Sequence, residues 1–253
     1  MGVDVGTSTA RPQLKGNRWA KAVESYRQWQ DDGNPAGQAA VPAAALRDAL
    51  HEQVVEDGDA FGLNRAMRDA GARLVDEVQR LRRDGVPTLA ATEPAHRQTV
   101  FVAEVVRRLA GHGGTFADAA VRKSAVELAE RLLADEVVRQ VVESGAIGGL
   151  PISDSLFCAI YRLFFADTVK QFLTTVVAEH VSLIITTHFP VLPMIDPQGV
   201  VGKWLAQNIV AVLPDPCRES GSSSGPSTAE LGRSLLKETV NRALGIPAEG
   251  SGS

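Results

Sequence analysis

The chain of 253 residues is 44% apolar and 22% charged, values of a globular protein that exclude global disorder. That length supports one large domain or two small ones, with a substantial buried core and no external staple. A net charge of −4 and a pI near 5.8 exclude a broad basic face, so nucleic acid is set aside as a partner.

Residues 1–16 are polar and Gly-rich and are expected to be unstructured. They lack the apolar core of a signal peptide, and Gly6 stands where N-myristoylation requires Ser or Thr, which points to a cytoplasmic protein. Arg outnumbers Lys 20 to 6, as in proteins of GC-rich bacterial genomes. Asn17 is placed to cap a first helix in which Trp19, Val23, Tyr26 and Trp29 recur at helical spacing, ending at Asp32-Gly33-Asn34-Pro35. Pro42 opens a second helix bearing Leu46, Leu50 and Val54, closed by Gly58.

Asp59 is expected to cap a third helix whose Leu63, Met67, Ala70, Leu74, Val78 and Leu81 alternate four and three apart. The seam is too short for a coiled coil and reads as a core-facing helix stopped at Gly85. Its arginines are interspersed with acids, the makeup of a solvated face with local ion pairs. Pro94 begins a fourth helix through Phe101, Val105 and Leu109. Thr115 and Asp118 form a capping box for a fifth, through Val121, Leu128, Leu132 and Val141 to Glu143. Residues 144–151 read as a Gly-rich hinge.

From Ile152 to Phe189 the chain has 38 residues without Gly or Pro and only five charges. As one helix this run would extend about 57 Å. Its apolar residues fall on every side, which requires burial in a domain centre or in lipid. Arg162 needs a partner from another helix, whereas Asp167 and Lys170 are spaced to pair. Near Val181 the run turns β-branched, and helix is expected to Thr187. The longest stretch free of Asp, Glu, Lys and Arg, His180 to Ile195, has 16 residues, short of the roughly 20 needed to span a membrane. Asp196 caps a helix through Val201, Trp204, Leu205 and Val212. Residues 214–228 read as a linker. Ser227 and Glu230 then form a capping box for an amphipathic helix, Ala229 to Leu244, carrying Leu231, Leu235, Leu236, Val240 and Leu244.

Catalytic constellations are not found. Gly221-Ser222-Ser223-Ser224-Gly225 matches a nucleophile elbow in letters only, since it lies in a polar linker with no later His. No two of the five histidines have ligand spacing. Glu93 with His96 is a single copy at a helix start, so neither a metal nor a cofactor is assigned. Cys158 and Cys217, in the apolar run and in a Pro-rich stretch, do not read as a disulfide framework.

The sequence thus predicts an all-α fold, one domain of about seven or eight helices over 17–213 packed round the long apolar run. A linker (214–228), a tethered amphipathic helix (229–246) and a disordered tail (247–253) follow. The expected function is a non-enzymatic interaction or regulatory module of a bacterial cytoplasm. It would bind a protein partner, or itself, through Leu231, Leu235, Leu236, Val240 and Leu244. One alternative is a membrane-active protein exposing residues 152–213 on a trigger. Another is a small-ligand receptor with an apolar pocket of Phe157, Tyr161, Phe164 and Trp204.

Overall fold

A computed structural model describes residues 17–111, 113–185, 199–220 and 226–246, and every regular element among them is a helix. The aromatic stripe of α1 (Asn17–Asp31) is buried at Trp19, Val23, Tyr26 and Trp29 and packs on α2 (Ala40–Asp57). A buried amide answers the indole there: Trp19 Nε1 donates to Gln53 Oε1 at 3.1 Å.

Asp59 does not start α3 directly. A 3-10 turn, Ala60–Gly62, intervenes with Phe61 at φ 56, and α3 runs Leu63–Asp84. The Asp59 carboxylate still accepts the Asn64 N–H at 2.7 Å, which satisfies one of the otherwise unpaired N–H groups at the helix start. All six seam residues of α3 are buried, none above 1% exposed. Gly85 ends the helix at φ 61, and a Cβ there would lie 2.0 Å from the Gly148 carbonyl. Only glycine fits both the conformation and the space. The hinge is stitched to the same helix end, because the Leu150 N–H donates to Leu81 O at 2.7 Å.

Helix α4 (Arg97–Leu109) follows a 3-10 turn at Pro94–His96 and buries Phe101, Val105 and Leu109. The Thr115 and Asp118 capping box opens α5 (Phe116–Leu133). The expected single helix to Glu143 is broken. Asp135 turns its carboxylate onto the N–H groups of Val137 and Val138 and starts α6 (Glu136–Ser144), a case of side chain competing with backbone for hydrogen bonds.

The long apolar run forms α7 (Asp154–Ile185), with Ser153 Oγ accepting the Leu156 N–H at 3.1 Å. The β-branched stretch is therefore helical to Ile185. Residues expected beyond it, Thr186 to Asp196, lie outside the described residues. Helix α7 packs against α3, α5, α8 (Val200–Val212), α9 (Pro216–Glu219), α10 (Thr228–Ser234) and α11 (Leu236–Ala243). The C-terminal capping box at Ser227 and Glu230 is present. The single helix expected after it is two, with the break at Leu235. None of the helices is long and apolar enough to cross a membrane, among the described residues.

The reading of the cysteines is corrected. Cys158 of α7 and Cys217 of α9 are bonded, with Cα atoms 6.0 Å apart across 59 residues of sequence. Sequence spacing carries no information on that distance; the return of the chain through α8 creates it. By the chain-entropy argument, closing a loop of this length stabilises by about 4 kcal/mol. Reduction, or Cys158→Ser with Cys217→Ser, is expected to lower the urea midpoint by a corresponding amount while far-UV helix signal at zero denaturant is kept.

Candidate functional site

Two places bring chemistry-bearing side chains together. The first is the seat of the C-terminal hairpin α10–α11. Along α7, Phe157, Tyr161 and Phe165 lie four apart on one face, with ring centroids 5.8 and 5.1 Å apart in succession. The Tyr161 hydroxyl donates to the Gly232 carbonyl at 2.8 Å and lies 3.0 Å from Thr239 Oγ1, so it can accept from that hydroxyl. Both helices of the hairpin are thereby held by one buried oxygen. Burial pushes the Tyr161 phenol above its ordinary value, with the Thr239 bond opposing it. Gly232 allows this approach, since a Cβ would meet Phe157 Cζ at 3.0 Å.

The rim is ionic. Thr228 donates to Asp154 Oδ1 at 2.7 Å, and Arg82 Nη2 reaches the same oxygen at 2.8 Å while its Nε bonds Ile152 O. Arg82 also stands over the Phe157 ring, 5.7 Å from its centroid. The Thr228 bond, and then Arg82, hold the Asp154 carboxyl below the usual range, against desolvation. Arg233 pairs with Asp76, and Arg68 bonds Asn241 at 3.3 Å. The arginines of α3 thus also tie elements together, with Arg73 bonding Leu109 O and Arg80 bonding Gly85 O.

Of the expected partner-binding residues, Val240 and Leu244 are buried and Leu231, Leu235 and Leu236 half-buried. The four residues expected to line one pocket do not share one. Phe157 and Tyr161 lie under the hairpin. Phe164 lines a separate cavity, and Trp204 is half-buried on α8.

That cavity is the second place. It has a volume of about 210 Å³ between α5, α7 and α8. Two helical stripes form its walls, Ser124, Glu127, Leu128 and Arg131 from α5, and Ile160, Leu163, Phe164 and Asp167 from α7. Lys170 and Ala206 complete it. Asp167 and Lys170 are paired, as their spacing predicts. Neither stripe is distinguishable from core in the sequence, because each has ordinary i, i+3, i+4, i+7 spacing.

Arg162 finds its partner at Asp215, 3.3 Å away, and bonds Val210 O at 2.5 Å. Cys158, Asp215 and Cys217 place potential metal-ligand atoms within 4.8 Å of one another. Both sulfurs are spent in the disulfide and guanidinium groups of Arg162 and Arg218 face Asp215, so the cluster is a salt-bridged staple rather than a cation cage. His96 pairs with Glu93 at 3.5 Å on the surface. The Gly221 to Gly225 segment, His112, His188 and the side chains of Glu179 and His180 lie outside the described residues.

Comparison with family models, curated proteins and solved structures finds no match to this chain.

Tyr161→Phe leaves the Gly232 carbonyl and the Thr239 hydroxyl short of a partner, and is expected to cost about 1–3 kcal/mol of unfolding free energy, read by denaturant titration. Because the Asp154 pKa is depressed in the folded chain, its contribution is complete above its unfolded value of about 4 and is lost as pH falls through the lower folded value. Amide protection factors across residues 228–244, with the intrinsic pH dependence of exchange divided out, should therefore fall below about pH 4, a fall absent from Asp154→Asn.

Proposed function

We propose that the chain is a non-enzymatic helical interaction and regulatory module, in which α7 is the axis of the domain and the hairpin α10–α11 is its exchangeable element. One observation carries this reading: beneath the ionic rim and apolar packing of the hairpin, one buried hydroxyl, Tyr161, is bonded to both of its helices over an aromatic ladder. A buried polar contact of this kind specifies register at an interface that apolar packing alone would leave loose. The chain reaches the hairpin through the polar Gly-Ser run 221–225, directly after the segment stapled by Cys217. An amphipathic helix of a partner, or the same hairpin of a second copy, would present equivalent groups to the seat.

The staple bears on where such a module works. Disulfides persist in oxidising compartments, and thiols prevail in the cytoplasm. In a cytoplasm the pair would be reduced and the segment before the hairpin held to α7 by Arg162 alone, through Asp215 and Val210 O. In an oxidising compartment the hairpin would stay anchored at its base.

The test is exchange in the full chain. A protease site placed at Ser222 to Ser224 allows the connection to be cut after folding. A labelled peptide of residues 226–246 should then replace the resident hairpin in a saturable manner, and a peptide carrying Val240→Asp should not. Failure of the wild-type peptide to enter at any concentration, in reduced or oxidised protein, makes the hairpin a fixed part of the core and removes the proposal.

A further inference from the structure

Cys158, Asp215 and Cys217 hold a second chemistry that the oxidised chain does not express. Cys158 comes from α7, the other two from the cap and first turn of α9, and one potential ligand atom of each lies within 4.8 Å of the others. Bonded to each other, the sulfurs are neutral and poor ligands, and the cluster is a staple. Reduction changes their character. A dithiol reductant supplies two electrons and two protons, is itself oxidised to a disulfide, and leaves two thiols whose protons a bound metal displaces to give thiolate ligands.

The distances suit a tetrahedral ion. Zn–S bonds of about 2.3 Å and a Zn–O bond of about 2.0 Å put two sulfurs roughly 3.8 Å apart and each sulfur roughly 3.5 Å from the oxygen. With Cα atoms 6.0 Å apart, side-chain rotation alone achieves that opening, because each sulfur is only two bonds from its Cα. The carboxylate is already oriented. Its Oδ1 accepts the Cys217 N–H at 3.0 Å, and its Oδ2 faces Arg162 Nη1 at 3.3 Å and Arg218 Nε at 3.8 Å. Metal-ligating carboxylates are held by outer contacts of this kind.

The arginines also set the charge balance. Two thiolates and Asp215 carry three negative charges, of which zinc offsets two and Arg162 the third. Arg218, its side chain 86% exposed, is solvated, and its repulsion of a cation is screened. Cys158 is buried, whereas Asp215 and Cys217 are half-buried, which leaves one side of the cluster open for entry and for a water in the fourth position.

We propose that the reduced chain binds one zinc ion through Cys158 Sγ, Cys217 Sγ and an Asp215 carboxylate oxygen, so that where thiols prevail a metal clip joins Arg162 in holding the segment to α7. Two thiolates select a borderline-soft ion over magnesium or calcium, and the carboxylate with tetrahedral spacing selects zinc over copper(I). The site does not depend on exchange of the hairpin.

The experiment is anaerobic titration of the full chain, reduced and then freed of reductant, with zinc chloride, and with cobalt(II) as a spectroscopic stand-in. One equivalent of zinc should saturate the reduced chain and raise its urea midpoint, and cobalt should give a thiolate charge-transfer band with tetrahedral ligand-field bands. The oxidised chain should do neither. Cys217→Ser should abolish binding, and alkylation of the thiols in the folded reduced chain serves if that variant does not fold. Asp215→Asn, which keeps a capping oxygen for α9 but not the charge, should weaken binding at least about tenfold and shift the ligand-field bands. Absence of saturable binding by the reduced chain overturns the site, as does binding that survives Cys217→Ser or alkylation, or that is equal in the oxidised chain. Unchanged affinity and spectrum in Asp215→Asn overturn the three-ligand assignment.

Discussion

Helix α7 keeps only one narrow solvent stripe, through Ser155, Ala159, Leu163 and Thr174, and burial of the rest of its circumference organises the molecule. Phe157, Ile160, Tyr161, Phe164, Phe165, Val169, Phe172, Leu173, Val176 and Val177 are each at most 1% exposed, and at 100° per residue they cover all but roughly 100° of the circumference. A helix buried on most of its sides needs an apolar stripe from each neighbour that covers it. The seam of α3, the small residues Ala117, Ala120 and Ala125 of α5, and Val201, Leu205 and Ile209 of α8 are those stripes. The hairpin α10–α11 adds Val240 and Leu244. Gly71 shows how tight the covering is, since a Cβ there would stand 2.6 Å from both Phe165 and Leu236.

Such a helix can carry polar groups only where each is answered. Tyr161 is answered by the hairpin, Arg162 by Asp215 and Val210, and Thr168 by the carbonyl of Phe164. Removing one partner of such a buried set costs more than the bond is worth when made, because the remaining group cannot return to water. The polar residues of α7 therefore act as selectors of which segment may lie against it. Arg162 and Tyr161 choose the 210–215 and 232–239 segments, and the apolar residues between them would accept many others. Exceptions on the same physical scale are Arg162 Nε and Asp167 Oδ2 of α7, and Ser124 Oγ of the adjacent α5, each unanswered among the described residues.

Much of the local structure is legible in the sequence because its causes are local. The two capping boxes, the seam of α3 and the aromatic stripe of α1 each depend on residues within one or two turns, and all are found where their spacing puts them. The misses have a common cause, side chains whose partners are not fixed by spacing. Asp135 could have continued a helix or capped a new one, and its carboxylate takes the backbone N–H groups. Phe61 adopts a left-handed conformation, at φ 56, that no β-branch or glycine signals. The disulfide depends on a return of the chain across 59 residues. At the candidate sites, the amphipathic residues of the last helix were visible but their seat was not. The cavity was invisible because its two stripes are individually those of any packed helix.

The positions of the staple and the seat on α7 give the arrangement its physical coupling. Cys158, Tyr161 and Arg162 lie within about one helical turn, or roughly 5.4 Å along the axis. The first is bonded to Cys217, the second holds both helices of the hairpin, and the third holds Asp215. Asp215 also caps α9 by accepting the Cys217 N–H at 3.0 Å. Three neighbouring side chains thus fix the segment before the hairpin and the hairpin itself, one covalently, one by ion pairing and one by neutral hydrogen bonds. With the covalent contact intact, a hairpin that left in the proposed exchange would return from a short polar connection at high effective concentration. With it broken, the ion pair at Asp215, whose side chain is 18% exposed, keeps the segment in place, but only as firmly as a partly solvated pair permits. Under the proposed exchange, the hold of the seat on its own hairpin would be set partly outside the seat, by the two sulfur atoms one turn away.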